Sequence, residues 1–134
     1  MADGQTLHCS LLTPDREVLT CEASFVAIPG HDGEIGFLRN RSALVCKLGV
    51  GEVRIQNEMG TARFLVDGGF AQMLDNVLSI LTSYAEPAQS IDRAFAAAAL
   101  KAALELPGLD VSSHDLRESA VARARARLRI ASRG

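Results

Sequence analysis

The chain has 134 residues, enough for one ordinary domain or two small ones. Hydrophobic residues make up 48% and charged residues 22%, a globular composition that excludes an intrinsically disordered chain. The residues after Met1 predict neither a signal peptide nor a transit peptide, and no apolar run approaches the roughly 20 residues that span a bilayer. We therefore expect a soluble chain that is bacterial or organelle-encoded.

The formal net charge of −2 is unevenly distributed along the chain. Residues 1–85 contain six basic and ten acidic residues, a balance of −4. Residues 86–134 contain eight basic and six acidic residues, a balance of +2. This asymmetry predicts two domains, 1–85 and 86–134.

The first half of the chain consists of short apolar runs about ten residues apart, separated by Gly, Pro, Asn and Asp. This spacing predicts an antiparallel β-sandwich or a small barrel. Asp75-Asn76 predicts a tight hairpin turn. We interpret Gly49-Val50-Gly51 and Gly68-Gly69 as turns, not phosphate-binding loops, because no Lys-Ser/Thr follows them. The runs are Leu7–Leu12, 17–28, 43–48, 49–55, 62–66, 70–74 and 76–82.

Cysteines and histidines in this pattern do not predict a metal site or another cofactor. An odd number of cysteines without a secretion signal favours reduced, buried thiols. A zinc site needs closely spaced ligands, whereas the chain has no Cys-x-x-Cys and its histidines are scattered. The cysteines all lie in apolar or β-like runs: Cys9, Cys21 and Cys46.

After Pro87 the hydrophobic period changes to that of helices. Ser90 is a plausible N-cap for a helix from Ile91, and Pro107-Gly108 ends this helix. A short loop then leads to a second helix, so the two form an antiparallel hairpin. The predicted apolar face of the first helix is Ile91, Phe95, Ala98, Ala99 and Ala102. That of the second is Leu116, Ala120, Ala124, Leu128 and Ala131.

The predicted fold class is therefore α+β, with an N-terminal antiparallel β-sandwich followed by a C-terminal antiparallel two-helix hairpin. Alanine dominates the apolar faces of the hairpin. Burial of a leucine contributes about 1.5–3 kcal/mol and burial of an alanine much less, so the hairpin should be held together by only a few kcal/mol. A partner that offers comparable burial could open it.

Three segments carry a resemblance to a known family. They are Val-Ala-Ile-Pro-Gly-His-Asp-Gly-Glu-Ile-Gly-Phe at 26–37, Leu-Val-Asp-Gly-Gly-Phe at 65–70 and Asn-Val-Leu-Ser-Ile-Leu at 76–81. In their order and spacing, and in the Ala-rich hairpin that follows, they resemble the epsilon subunits of F-type ATP synthases. The resemblance extends from about residue 7 to residue 130.

The resemblance implies a non-catalytic central-stalk subunit. Such a subunit couples proton-driven rotation of the c-ring to ATP synthesis and inhibits ATP hydrolysis through its C-terminal helices. The implied partners are the gamma subunit, the c-ring and the alpha/beta catalytic hexamer. The implied location is peripheral, on the cytoplasmic side of the bacterial inner membrane, or on the stromal side of the thylakoid if the chain is organelle-encoded.

The resemblance also implies a c-ring or gamma contact at Glu34, Asn40 and Arg41, with Glu34 near Arg41. The plainer interpretation of Glu34 is an exposed turn carboxylate between two glycines, Gly33 and Gly36, for which we expect positive φ. Family members often have a Pro-Gly-His-Ala-Pro-like segment where this chain has Arg-Asn-Arg-Ser-Ala at 39–43, so the prolines are missing here.

Arginines of the last helix form two stripes. Arg123 and Arg127 share one face, and Arg125 and Arg129 lie nearly opposite. The plainer interpretation is a solvated helix surface. Guanidinium groups pair bidentately with carboxylates, and the resemblance implies an inhibitory contact with an acidic segment of the catalytic beta subunit.

A weak ATP site is also implied, at Asp92, Arg123 and Arg127. Some bacterial members have Ile-Asp-x-x-Arg-Ala in the first helix, associated with ATP binding. Here Phe95 occupies the arginine position, which weakens that inference.

The alternative function is a nucleic-acid-binding module whose arginine-rich helix contacts phosphates. The acidic first domain and the absence of aromatic stacking positions argue against it, so we expect no nucleic-acid partner. An enzyme is disfavoured because the sequence shows no triad-like setting for its Ser, Cys and His residues.

Overall fold

The structure is a computed structural model that describes residues 6–107 and 111–132, with side chains described for residues 114–131 of the second range. The chain divides into two compact units, which we call the sandwich unit (Met1–Ala85) and the helical unit (Glu86–Gly134). The strands are β1 Leu7–Leu12, β2 Glu17–Ala23, β3 Phe25–Gly30, β4 Gly33–Phe37, β5 Leu44–Asn57, β6 Gly60–Leu74, β7 Val77–Leu81 and β8 Ala85–Pro87. A short 3-10 helix, Ala88–Ser90, is followed by α1 Arg93–Leu104 and α2 Val111–Ser132.

Seven strands follow the order β2-β1-β7-β6-β5-β3-β4. All neighbours in this order are antiparallel except β1 and β7, which run parallel. The predicted α+β fold class is confirmed, although the sheet is mixed rather than purely antiparallel. Strands so distant in sequence need no hairpin between them, so either direction of pairing is open to them.

The glycine pairs are inside strands, so the interpretation of both as turns was wrong. Gly49 and Gly51 lie within β5, and Gly68 and Gly69 lie within β6. Gly68 and Gly69 have φ of 75° and 116°, an irregular backbone conformation within a strand that keeps its register with β5 on both sides. The predicted turn at Asp75-Asn76 is confirmed, with φ of 47° and 63° at its two residues.

Apolar side chains, most of them aliphatic, fill the core of the sandwich unit. Alternate residues of β1, of β7 and of the end of β6 point inward, as a strand that is buried on one face requires. The largest fully buried side chains are Phe37, Leu7, Leu11, Ile28, Ile55, Leu65, Met73, Leu78, Ile80, Val26, Val53 and Val66. Every one of them precedes the helical unit, so the sandwich unit has its own core.

Cys9 is part of this core, and burial raises the pKa of its thiol from 9.0 to about 12, with a smaller contribution from Cys21. Between these two values the unfolded chain loses this proton and the folded chain keeps it. The free energy of unfolding should therefore decrease as the pH rises from about 9 towards 12. Urea unfolding at a series of pH values should show a shallower decrease for Cys9→Ala, and an unchanged decrease would contradict the prediction.

The helical unit is an antiparallel hairpin. A guanidinium nitrogen of Arg117, early in α2, donates to the carbonyl oxygen of Leu104, at the end of α1 (3.3 Å). Later in α2, the Nε of Arg127 lies 3.3 Å from Oε1 of Glu86, at the start of the unit. The two helices therefore run in opposite directions, as the short connection predicts.

Several details of this hairpin differ from the prediction. The N-cap of α1 is Asp92, not Ser90, and its Oδ1 accepts a hydrogen bond from the backbone N–H of Phe95 (2.9 Å). Phe95 is 73% exposed, and α1 buries Ala96 and Ala103 instead. In α2, Leu116 is 70% exposed, and the buried residues are Val121, Ala124, Ala126 and Ile130. In α1 the bulky Phe95 misled the assignment, because alanines allow the helices to approach closely and this larger side chain is then placed outside.

Candidate partner-binding surfaces

A row of charged side chains crosses strands β4, β5 and β6. The guanidinium of Arg54 donates two hydrogen bonds to the carboxylate of Glu34, at 2.8 and 3.1 Å. Glu52, whose side chain is only 5% exposed, accepts from Nε of Arg63 at 2.6 Å and lies 3.6 Å from Arg54. The hydrogen bond to Glu34 is the main cause that raises the pKa of Arg54, so this arginine stays charged. The row fixes Glu34 on the sheet surface.

Glu34 and Arg41 lie towards opposite ends of the strand β4 along the chain. Glu34 lies near the start of β4, whereas Arg41 follows the end of this strand, and three residues of strand span roughly 10 Å. The guanidinium of Arg41 lies 5.1 Å from the centroid of the Phe37 ring, a cation–π contact. The two residues therefore belong to different ends of β4.

Gly33 has the expected positive φ of 134°, but Gly36 does not share this property and sits in regular strand. A Cβ at Gly36 would lie 3.0 Å from the ring of Phe25, so the absence of a side chain there is explained by packing. The expectation for Gly36 was therefore wrong, because a close ring across the sheet, not the backbone conformation, favours glycine.

The loop after β4 is tied to two other parts of the sandwich unit. The backbone N–H of Asn40 donates to Oδ1 of Asn76 (2.6 Å), and Nδ2 of Asn76 donates to Oδ1 of Asn40 (3.3 Å). A guanidinium nitrogen of Arg39 donates to the carbonyl oxygen of Thr6 (3.0 Å). The loop therefore has an ordered conformation without belonging to a strand.

An apolar surface on the outside of β5, β6 and β7 was not predicted from the sequence. Its members are large apolar side chains, each 42–67% exposed: Val45, Phe70, Leu74, Val77 and Leu81. Phe70 is directly opposite Leu81, and Leu74 is opposite Val77, so these pairs are in contact range. We call this set the apolar sheet face.

The signal for this face was present in the sequence. Segments 70–74 and 77–81 have large apolar residues at both odd and even positions. A strand with one solvated face alternates apolar with polar residues, whereas a strand covered on both faces is apolar at both. These segments therefore indicate that something covers their outer side.

In the helical unit, the four predicted arginines fall into two groups. Arg125 and Arg129 are exposed, whereas Arg123 and Arg127 are half-buried. Arg127 pairs with Glu86, and Asp92 uses Oδ1 to cap α1. The structure thus leaves one stripe in solvent and engages members of the other inside the hairpin.

Within residues 6–107 and 111–132, no group of three or more His, Cys, Asp or Glu residues is arranged to hold a metal ion. A shallow open groove beside the β3–β4 turn is lined by side chains that include His31, Glu34, Cys46 and Lys47. No helix among the described residues is long and apolar enough to cross a membrane. A β-sandwich with an exposed apolar face, joined to a thinly packed helical hairpin, defines a protein-binding subunit.

Comparison with known proteins identifies the family. A family model described as "ATP synthase, Delta/Epsilon chain, beta-sandwich domain" matches residues 6–88. The ATP synthase epsilon chain of Rhodopirellula baltica is 41% identical over 124 residues, which cover 92% of this chain and 97% of the relative. That of Desulfitobacterium hafniense is 35% identical over 130 residues, covering 94% of this chain and 96% of the relative. The chain therefore belongs to the ATP synthase epsilon family, as a non-catalytic subunit.

Two solved structures share the fold. A chain in a structure of the Euglena gracilis mitochondrial ATP synthase, comprising OSCP, F1 and the c-ring, superposes with a TM-score of 0.84 at 25% identity. The match covers 91% of this chain and 79% of that chain. A chain from the central stalk and c-ring of the Tetrahymena thermophila mitochondrial ATP synthase has a TM-score of 0.68 at 18% identity, covering 92% and 95%.

Proposed function

We propose that this chain couples rotation of the c-ring to ATP synthesis as a subunit of the central stalk, and that its helical unit restrains ATP hydrolysis. Family membership and the likeness to a chain of an assembled F1/c-ring structure support the first part. The chain would be peripheral to the membrane, held there by the complex, on the cytoplasmic side in a bacterium or the stromal side in a thylakoid. We propose that the arginines of α2 bind a protein partner and not a nucleic acid.

The apolar sheet face is the proposed binding surface for the gamma subunit. The five large apolar side chains of this face lie around the polar pair formed by Gln72 and Ser79, and they stabilise a partner by losing contact with water. A stalk subunit must stay bound to its neighbour while it transmits torque. Such obligate interfaces are more hydrophobic than transient ones. We therefore assign this face to gamma. The family resemblance supports assigning the loop with Arg41, together with Glu34, to the c-ring.

A single substitution on this face tests the gamma assignment. Phe70→Glu should weaken binding to purified gamma by at least about 30-fold, because a carboxylate would be buried where an aromatic ring made the contact. The fold should survive, since Phe70 is 56% exposed. Titration calorimetry with gamma measures the change.

Met59 provides a matched control for this substitution. It is an apolar residue, 94% exposed, in the β5–β6 turn and outside the apolar sheet face. Met59→Glu adds the same charge, and binding to gamma should stay within about twofold of wild type. Equal losses for both variants, or no loss for Phe70→Glu, would contradict the assignment.

The helical unit is proposed to inhibit hydrolysis by opening and placing Arg123, Arg125, Arg127 and Arg129 against an acidic surface of the catalytic beta subunit. Small buried residues such as Ala96 and Ala103 hold α1 in the hairpin, which limits the free energy needed to open it. A half-buried ion pair, Glu86 with Arg127, adds a modest further term.

Weak ATP binding at Asp92, Arg123 and Arg127 is a further proposal. Within the hairpin, Asp92 caps α1 and Arg127 pairs with Glu86. A nucleotide would have to exchange with the contact that Arg127 makes to Glu86, and such an exchange reduces its affinity. This arrangement supports a weak site, not a tight one.

A further inference from the structure

We propose that Asn76 is a positioning residue for ring docking: its side chain holds the loop 38–43 in its docking conformation before the partner arrives. The inference rests on the proposed contact of this loop with the c-ring. It also changes the role of Asn40, whose side chain faces Asn76 and serves the loop's conformation. Arg41 is then the residue that the loop presents.

Two reciprocal hydrogen bonds join Asn40 to Asn76, which lies in a distant turn, and we call this pair of bonds the clasp. Asn40 donates its backbone N–H to the Asn76 side chain at 2.6 Å, and the Asn76 amide donates to the Asn40 side chain at 3.3 Å. Both residues have positive φ, 68° and 63°. Among residues other than glycine, asparagine and aspartate tolerate this conformation best, and asparagine alone can both donate and accept in the pair.

The turn that carries Asn76 is itself anchored. The carbonyl oxygen of Asn76 accepts from the backbone N–H of His8 in β1 at 2.8 Å, and the turn joins β6 to β7. A second tie runs from Arg39 to the carbonyl oxygen of Thr6, just before β1. The loop is thus fastened at two consecutive residues to the same end of the sheet.

Apart from these ties, the loop is ordered by one internal turn, in which the backbone N–H of Arg41 donates to the carbonyl oxygen of Leu38 at 3.3 Å. Residues 38–43 lie between β4 and β5, and the segment Leu-Arg-Asn-Arg-Ser-Ala contains no proline. An unordered loop loses conformational freedom when a partner binds, and this loss opposes association. The clasp removes that loss beforehand, while the Phe37 ring restrains the Arg41 guanidinium at 5.1 Å.

The chain offers a matched pair of variants. Asn76→Gly keeps the positive φ of its turn but removes both side-chain hydrogen bonds to Asn40. Asp75→Gly alters the neighbouring position, whose φ is 47°, and leaves the clasp intact. Both variants add one glycine to the same turn, so a general loosening of the turn would affect them alike.

The first measurement uses the isolated full-length chain. Amide hydrogen exchange of the Asn40 N–H should accelerate at least about tenfold in Asn76→Gly and stay near wild type in Asp75→Gly. Asn76→Asp, which retains the acceptor oxygen, should restore most of the protection. Equal exchange in Asn76→Gly and wild type would overturn the proposal.

The second measurement uses F1 complexes that contain each variant, bound to membranes that carry the c-ring. Asn76→Gly should weaken binding about three- to tenfold, and Arg41→Ala should weaken it at least as much. If Arg41→Ala weakens binding and Asn76→Gly does not, the positioning role is wrong and the ring contact stands. If neither variant weakens binding, the ring contact of this loop is wrong and the positioning role falls with it.

Discussion

Replacing Gly69 with alanine is expected to destabilise the sandwich unit by about 3–5 kcal/mol, a large part of the stability of a typical domain. A Cβ at this position would lie 2.9 Å from the Cα of Thr82 and closer still to the carbonyl oxygen of Leu81. Both are backbone atoms of the adjoining chain segment, so neither can rotate away. The φ of 116° adds further strain for any residue with a side chain.

Gly68 is the matched control for this substitution. It is the preceding residue of the same strand and has a φ of 75°, but a Cβ there would meet no atom within 4 Å. Gly68→Ala should therefore report the cost of the backbone conformation alone, about 1–2 kcal/mol. Urea unfolding of both variants measures the difference, and an equal loss of stability would show that the clash at Gly69 is relieved by a shift of the segment 81–82.

Those two glycines also show where reasoning from the sequence failed. Local composition identifies them as positions of unusual backbone conformation, but a turn and an irregular position in a continuous strand use the same residue type. Which of the two forms depends on whether the flanking segments find partners on both sides of the glycines. Leu48 pairs with Gly69 and Val50 pairs with Asp67, so the ladder continues past the two glycines.

Patterns within one element predicted the fold well, because the period of apolar residues depends only on which face is buried. The turn at Asp75-Asn76 was also predicted from local sequence, because its positive φ is a property of two adjacent residues. The face of α1 was not predicted, because a run of alanines has no bulky residue to mark the buried side. The exposed Phe95 instead drew the assignment to the wrong stripe.

Contacts between distant residues could not be predicted in the same way. Glu34 has Arg54 as its partner, and Asn40 has Asn76, across 20 and 36 residues of sequence. Each pair depends on strand register, which the sequence determines only through the whole sheet. The resemblance to a family located the loop and the carboxylate, but the residues that hold them in place required coordinates.

Deleting the helical unit after Glu86 is expected to increase ATP hydrolysis by the assembled complex on the order of tenfold, the size of a typical allosteric coupling. The sandwich unit should survive this deletion, because its core is built from residues that precede Glu86. Binding to gamma should therefore persist, and a phosphate-release assay on the purified complex reads the change in rate. An unchanged rate would remove the inhibitory role and leave the coupling role standing.

A pair of point substitutions separates the arginines from the rest of the helical unit. Arg125 and Arg129 are exposed in the hairpin, so Arg125→Gln with Arg129→Gln should leave its stability nearly unchanged. If these residues meet carboxylates only when the hairpin opens, their loss destabilises the inhibited state alone, and hydrolysis should rise severalfold. The control pair, Arg93→Gln with Lys101→Gln, removes two exposed charges from α1 and should have no such effect.

The comparison of these variants with the deletion locates the inhibition. A rise in hydrolysis that equals that of the deletion would mean that the two exposed arginines account for the whole effect. A smaller rise would assign the remainder to other parts of the helical unit, among them Arg123 and Arg127, which must first leave their half-buried positions in the hairpin. An equal rise in the α1 control would instead show that the positive charge of the unit matters, wherever it lies, and the specific helix contact would be wrong.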